Sequence, residues 1–168
     1  MAKFLVDGML GKLARWLRVL GVDTSFDSGA DDDELVGRAV NEDRILLTRD
    51  RRLAERRLLR GRVVLIGAES WPDQIRELAR AQDLTGLIHP LTRCLRCNTV
   101  LEDLAPAAAA PRVPPYIAAT HSRYYHCPTC ARIYWPGTHR ERMSATLARL
   151  GLPELSRPPE AGSGQPER

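Results

Sequence analysis

The chain alternates short uninterrupted apolar runs with longer stretches in which apolar residues recur every three or four positions. Phe4-Leu5-Val6, Ile45-Leu46-Leu47-Thr48 and Val63-Val64-Leu65-Ile66 are of the first kind. Runs this short, apolar at successive positions, suit strands covered on both faces. Leu10, Leu13, Leu17 and Leu20 lie along one helical face that Gly21 is placed to end. Val22 to Phe26 predicts another strand. Leu35, Val36, Ala39 and Val40 predict the inward face of a helix running from Asp32 or Asp33 to Asn41, and its acidic start suits the positive end of the helix dipole. Arg51 to Leu59 reads as a basic helix, and Ser70-Trp71-Pro72-Asp73 opens a further one with a capping serine. From Lys3 to about Ala81 the alternation predicts a parallel sheet with right-handed crossovers and flanking helices.

Past about Thr85 that rhythm stops, and cysteines, prolines and the Ala107 to Ala110 stretch take over. A metal-organised module is expected from Leu91 to Gly151, with Pro106 to Pro115 as a loop and Thr138 to Leu150 as a closing helix carrying Met143, Leu147 and Leu150 on one side. Pro153 to Arg168, rich in Pro, Gly, Ser and Glu, has little to bury and is expected to be disordered. The expected organisation is an α/β domain over 1–88, a four-cysteine module with its closing helix over 89–151, and a disordered tail over 152–168.

A chain of 168 residues is long enough for one α/β core and a small appendage. The formal net charge of +4 is compatible with a polyanionic partner without requiring one. No apolar run approaches the roughly 18 to 20 residues that span a bilayer, and Met1-Ala2-Lys3 leads into too short an apolar run for a secretory leader. A cytoplasmic protein with no membrane association is expected. In a reducing compartment, Cys94-x-x-Cys97 and Cys127-x-x-Cys130 read as metal ligands rather than disulfides. Two such turns complete a tetrahedral four-thiolate zinc site of the structural type, closed to catalysis. A redox role is the poorer reading, since neither pair opens a helix after a strand. With four thiolates present, His121, His126 and His139 read as surface or packing residues. Tyr124, Tyr125, Tyr134 and Trp135 either stack on nucleic-acid bases or form the module's own small core, and the core reading is favoured for Tyr134 and Trp135.

In an open parallel sheet, ligands bind beyond the carboxyl ends of the strands, where successive connections leave in opposite directions. Asp7 follows the first strand, Asp50 follows the third, and Asp31-Asp32-Asp33-Glu34 opens the helix after the second. Carboxylates converging there repel one another unless a hard ion such as Mg²⁺ or Mn²⁺ neutralises them. Such an ion activates water against a phosphodiester. The plain alternative at each position is a turn or a helix cap. Lys12, Arg15 and Arg18 on the first helix, and Arg49, Arg51 and Arg52 around Asp50, are candidates for holding phosphates; their alternative is an exposed polar face.

Several motifs in order, Phe4-Leu5-Val6-Asp7-Gly8-Met9-Leu10-Gly11-Lys12-Leu13-Ala14-Arg15-Trp16-Leu17-Arg18, Ile45-Leu46-Leu47-Thr48-Arg49-Asp50-Arg51, Arg93-Cys94-Leu95-Arg96-Cys97-Asn98, Cys127-Pro128-Thr129-Cys130 and Tyr134-Trp135-Pro136-Gly137-Thr138-His139, resemble the Mut-seven C-terminal ribonuclease family of PIN-like proteins. The likeness runs to about Gly151. It implies a PIN-like three-layer α/β domain with a parallel sheet, followed by a small four-cysteine zinc ribbon, with metal-dependent ribonuclease activity on RNA. The family's acidic positions fall on Asp7, Asp32 and Asp50, with Asp33 beside them because the aspartate run leaves the register open. On this reading those acids hold Mg²⁺ or Mn²⁺, Lys12, Arg15, Arg49 and Arg51 hold the RNA backbone, and Cys94, Cys97, Cys127 and Cys130 hold structural zinc, with a ribosome or RNA-processing complex as wider partner. Bacterial members often carry an N-terminal ubiquitin-like domain; no partner recruited through such a domain is expected here. Phosphatase and phospho-receiver readings fail, because Met9 stands where a second acid belongs and Ile66-Gly67 offers no lysine. The stronger rival is a non-catalytic zinc-ribbon RNA- or ribosome-binding protein whose acids only cap helices.

Overall fold

A computed structural model describes residues 1–137 and 139–151. Four short strands, β1 (Phe4–Val6), β2 (Thr24–Phe26), β3 (Ile45–Thr48) and β4 (Val63–Leu65), form a parallel sheet in the order β2-β1-β3-β4. Phe4 lies opposite Thr24 and Ile45, and Leu46 opposite Val63. The uninterrupted apolar runs are explained by two cores, one on each face. Phe4, Val6 and Leu47 meet Leu13 and Leu17 of α1 (Gly11–Val19) and Ile75 and Leu78 of α4 (Trp71–Ala81). Leu5 and Leu46 meet Leu35, Val36 and Ala39 of α2 (Asp32–Asn41) and Leu53 of α3 (Arg51–Ala54). The result is three layers. The first crossover runs toward one edge of the sheet and the next two toward the other, so a single handedness requires α1 on one face and α2 and α3 on the opposite one.

Local chemistry sets most element ends. Asp31 and Glu34 form a reciprocal capping box at α2, and Ser70 accepts from the Asp73 N–H at the start of α4. Gly21 ends the α1 turn at φ +80°, and a Cβ there would strike the His89 carbonyl, so the position demands glycine. Three expectations need correction. Val40 is exposed rather than inward, because α2 buries only Leu35, Val36 and Ala39. The basic helix is one short turn, α3, followed by a 3-10 turn at Arg57–Leu59; its continuation would set Arg52 and Arg56 one turn apart as like charges, and Arg56 instead pairs with Asp33. The loop expected from Pro106 to Pro115 is helical: α5 (Pro106–Ala109), a 3-10 turn (Ala110–Arg112) and the start of α6 (Pro115–Thr120). Pro106, Pro111 and Pro115 stand in first turns and Pro114 is the N-cap of α6, where a missing N–H costs nothing, and alanine favours helix.

A separate antiparallel sheet, in the order β5 (Glu102–Leu104), β6 (Tyr124–His126), β7 (Ile133–Tyr134), carries the cysteine module. The final helix, α7 (His139–Leu150), returns to the first unit, where Leu147 and Leu150 join the core of Leu10, Ile75 and Leu78. Arg76 Nη2 donates to the Arg149 carbonyl at 2.9 Å. The tail over 152–168 and the side chains of His139 and Met143 lie outside the described residues. Among those described, no helix is long and apolar enough to cross a membrane.

Candidate functional site

The chain leaves β1 toward β2 and leaves β3 toward β4, so the crevice beyond these two adjacent strands is the switch point of the sheet. Asp7 and Asp50 stand at that edge. The Asp7 N–H donates to the Leu47 carbonyl at 3.0 Å, which fixes its backbone against β3. Thr48, the last residue of β3 and fully buried, donates its hydroxyl to Asp7 Oδ2 at 2.6 Å and accepts from the Asp50 N–H at 3.0 Å. Asp50 Oδ1 in turn accepts from the Arg52 and Leu53 N–H groups at 2.7 and 3.2 Å, capping α3. One network therefore joins the two acids. It leaves Asp7 Oδ1 and Asp50 Oδ2 without a protein partner among the described residues. Thr48 is a member of this site that sequence reasoning misses; the available signal is a hydroxyl residue ending an otherwise apolar strand two positions before Asp50.

The other acids stand apart from this network. Asp31 and Glu34 are occupied by the capping box at 2.9 and 3.0 Å. Asp32 and Asp33 are exposed on the first turn of α2, and Asp33 pairs with Arg56 at 3.1 Å. Lys12 and Arg15 are exposed on α1, as are Arg49 and Arg51 on either side of Asp50. Arg18 is a correction to both of its readings, since it neither lines an exposed face nor reaches the sheet edge. It is 7% exposed, and donates through Nε to the Thr24 carbonyl at 2.8 Å and through Nη1 to the Leu95 and Arg96 carbonyls at 3.2 and 2.7 Å. Leu95 and Arg96 are the two residues between the first pair of cysteines. Arg18 therefore clamps that turn onto α1 and β2.

The four cysteine sulfurs lie within 4.8 Å of one another, and among the described residues they are the group of three or more potential ligands gathered so closely. Cys94 and Cys130 are separated by 3.5 Å and Cys97 and Cys127 by 3.4 Å. Both distances far exceed a disulfide bond. They approach the edge of about 3.8 Å that a tetrahedron with Zn–S near 2.3 Å requires, so the donor set fits zinc. The two turns are built alike. The Asn98 N–H donates to the Cys94 carbonyl and the Ala131 N–H to the Cys127 carbonyl, each at 2.9 Å, with Asn98 and Ala131 at φ 66° and 57°. Burial opposes ionisation of Cys94, yet the Tyr134 hydroxyl and the Cys97 and Arg96 N–H groups outweigh it and bring the thiol to about 6. Cys130 is held up at about 11, where burial and the neighbouring cysteine sulfurs outweigh a backbone hydrogen bond from Arg132. Four crowded thiols resist full ionisation without a cation among them. His126 instead pairs with Glu102 at 3.4 Å, and His121 bonds Thr120.

The module is sewn to the parallel sheet beside β2. Asn98 accepts from the Thr24 N–H at 3.0 Å and donates to Asp23 Oδ1 at 2.8 Å, and Arg93 reaches Asp23 Oδ2 at 3.1 Å. The sheet edge and the cysteine module fall together within one family match: the model of the Mut7-C RNase domain covers residues 2–147. The chain belongs to the Mut7-C RNase domain family. Comparison with curated proteins gives no match, and neither does comparison with solved structures. The Mut7-C match includes both Asp7 with Asp50 and all four cysteines, so the two units that Arg18 and Asn98 join are matched together. Membership in the Mut7-C family carries a ribonuclease-related function, with RNA as the substrate class.

Proposed function

We propose that the protein is a metal-dependent ribonuclease whose centre lies at the carboxyl edge of the parallel sheet. The observation that carries this reading is the Asp7–Thr48–Asp50 network at the switch point, with one oxygen of each carboxylate uncommitted to protein. Asp7 and Asp50 would hold Mg²⁺ or Mn²⁺, with Asp32 the candidate third ligand and Asp33 its neighbour. The oxygen donors suit a hard cation. Such an ion supplies a polarised water and neutralises charge at the phosphodiester. Thr48 holds the Asp7 carboxylate in orientation, and the α3 N–H groups do the same for Asp50. Lys12, Arg15, Arg49 and Arg51 would hold phosphates on either side of the cut. The zinc ribbon is structural and contributes to holding the RNA.

The test is cleavage of labelled single-stranded and structured RNA with Mn²⁺, with Mg²⁺ and with no added divalent ion. Asp7→Asn and Asp50→Asn are run alongside. Asparagine caps a helix as well as aspartate does, so Asp50→Asn removes the charge while keeping α3. Metal-dependent cutting that disappears in both variants is the expected result. The second reading, a zinc-ribbon RNA-binding protein, is favoured by the use of Asp50 and Asp31 as helix caps. RNA binding without cutting under every metal condition would establish it in place of the nuclease.

A further inference from the structure

Two grooves meet where the zinc ribbon rests on α1. One, of about 660 Å³, is lined by Trp16, Tyr134 and Trp135, with Arg15 and Leu95 among its other walls. The second, of about 450 Å³, is lined by Arg96, Arg132, Gly11 and Phe26, and shares Arg15, Leu95 and Tyr134 with the first. The two grooves adjoin along these shared residues, and together they make a path over α1. Its direction follows from the register of the sheet: Phe26 is the last residue of β2 and pairs with Val6, the residue before Asp7. Gly11 opens α1 directly after the turn that begins at Gly8. The path therefore leads from the strand edge that carries Asp7, along α1, to the aromatic wall of the ribbon.

We infer that this path binds a single-stranded segment of RNA flanking the cleavage point, its phosphates on Arg15, Arg96 and Arg132 and an unstacked base against Trp135 or Trp16. This deepens, and rests on, the ribonuclease reading above. Charge argues for the occupant. Among the described residues no carboxylate lines either groove, and Arg15, Arg96 and Arg132 are exposed and have no ion-pair partner there. The other two arginines of the walls are spent, Arg93 on Asp23 and Arg18 on backbone carbonyls. The aromatic wall argues for a base rather than a bare polyanion. Trp16 is stacked on Trp71 with centroids 4.2 Å apart, and Trp135 stands edge-on to His121 at 6.4 Å. Both indoles are thereby held in place while still lining the groove, as platforms that bind single strands require. Each half of the path depends on the ribbon's resting on α1, so neither unit alone offers it.

The test is binding of a fluorescently labelled single-stranded RNA, read by anisotropy with no added divalent ion and no chelator. Trp135→Ala is expected to weaken binding about tenfold, while Trp135→Phe stays within about twofold of the unaltered protein. The double variant Arg96→Gln/Arg132→Gln is expected to lower the slope of log affinity against log salt by about 1.4. Full zinc content in each variant shows that the ribbon has folded. Unchanged affinity and salt slope in zinc-replete variants, or equal affinity for duplex RNA of the same length, would overturn the proposal. Binding is read apart from cutting, so the two readings fail separately. A groove that binds as expected in a protein that cuts nothing removes the nuclease alone, and metal-dependent cutting with groove variants that bind normally removes the groove alone.

Discussion

Thr48 has one hydroxyl and two tasks, donating to Asp7 and accepting from the backbone of Asp50. Thr48→Val keeps the shape and β-branching but leaves a carboxylate oxygen and an N–H without a partner. A loss of about 1–3 kcal/mol is expected in urea unfolding. RNA cleavage should fall about 10- to 100-fold, the usual cost of removing a group that orients a ligand, whereas Thr48→Ser should restore most of both. Equal cleavage by Thr48→Val and the unaltered protein would show that Asp7 needs no such orientation. Asp7 and Asp50 are legible in the sequence because an apolar run marks where a strand ends, and polar residues after it stand at the sheet edge. Thr48 is less so, since a hydroxyl at the end of a strand reads equally well as a terminator. The burial of Arg18 is not legible at all: its partners, Leu95 and Arg96, lie far along the chain, and no local pattern announces them.

At the scale of elements, β2 does more than its three residues suggest. Its inner edge pairs with β1, while Thr24 and the preceding Asp23 receive the ribbon through Asn98 and Arg93. Burial alone would raise the Asp23 pKa, but hydrogen bonds from Arg44 and Asn98, with the charges of Arg44 and Arg93, outweigh it and hold the carboxyl below its ordinary 3.8. A carboxyl with a depressed folded pKa contributes stability that is fully present above its unfolded value and fades as pH falls through the folded one. Asp23→Asn is therefore expected to be less stable than the unaltered protein at neutral pH, with the difference narrowing below about pH 3.8. Chemical unfolding of the two proteins across that range measures it, and a constant difference would show that the charge contributes nothing at this edge. The helices between the two cysteine pairs are hidden for a related reason. Prolines punctuate Pro106 to Pro115 and suggest a loop, yet each stands where a helix tolerates it, and only the structure distinguishes a breaker from a first-turn proline.

At the scale of the whole molecule, the ribbon is part of how the parallel domain is built. Arg18 bonds two carbonyls inside the first cysteine turn, Asn98 just after that turn bonds β2, and α7 beyond the second turn carries Leu147 and Leu150 back into the α1–α4 core. Four thiols drawn within 4.8 Å are a donor set that could hold zinc, and metal bound at such a site contributes to folding free energy. Removing zinc should accordingly be felt well outside the ribbon. With the metal withdrawn by a chelator, hydrogen exchange is expected to quicken first in Cys94–Asn98. It should then spread to β2 and the last turn of α1, whose partners are lost, while α2, packed in the opposite core, keeps its protection. Arg18→Leu should reproduce the α1 and β2 part of that pattern with zinc still bound, because it cuts the link from the other side. If chelation left β2 and α1 as protected as before, the ribbon would be an independent appendage and the arginine clamp would carry no coupling. If protection fell uniformly through both cores, the molecule would unfold as one unit, and zinc would be a condition of the nuclease fold itself.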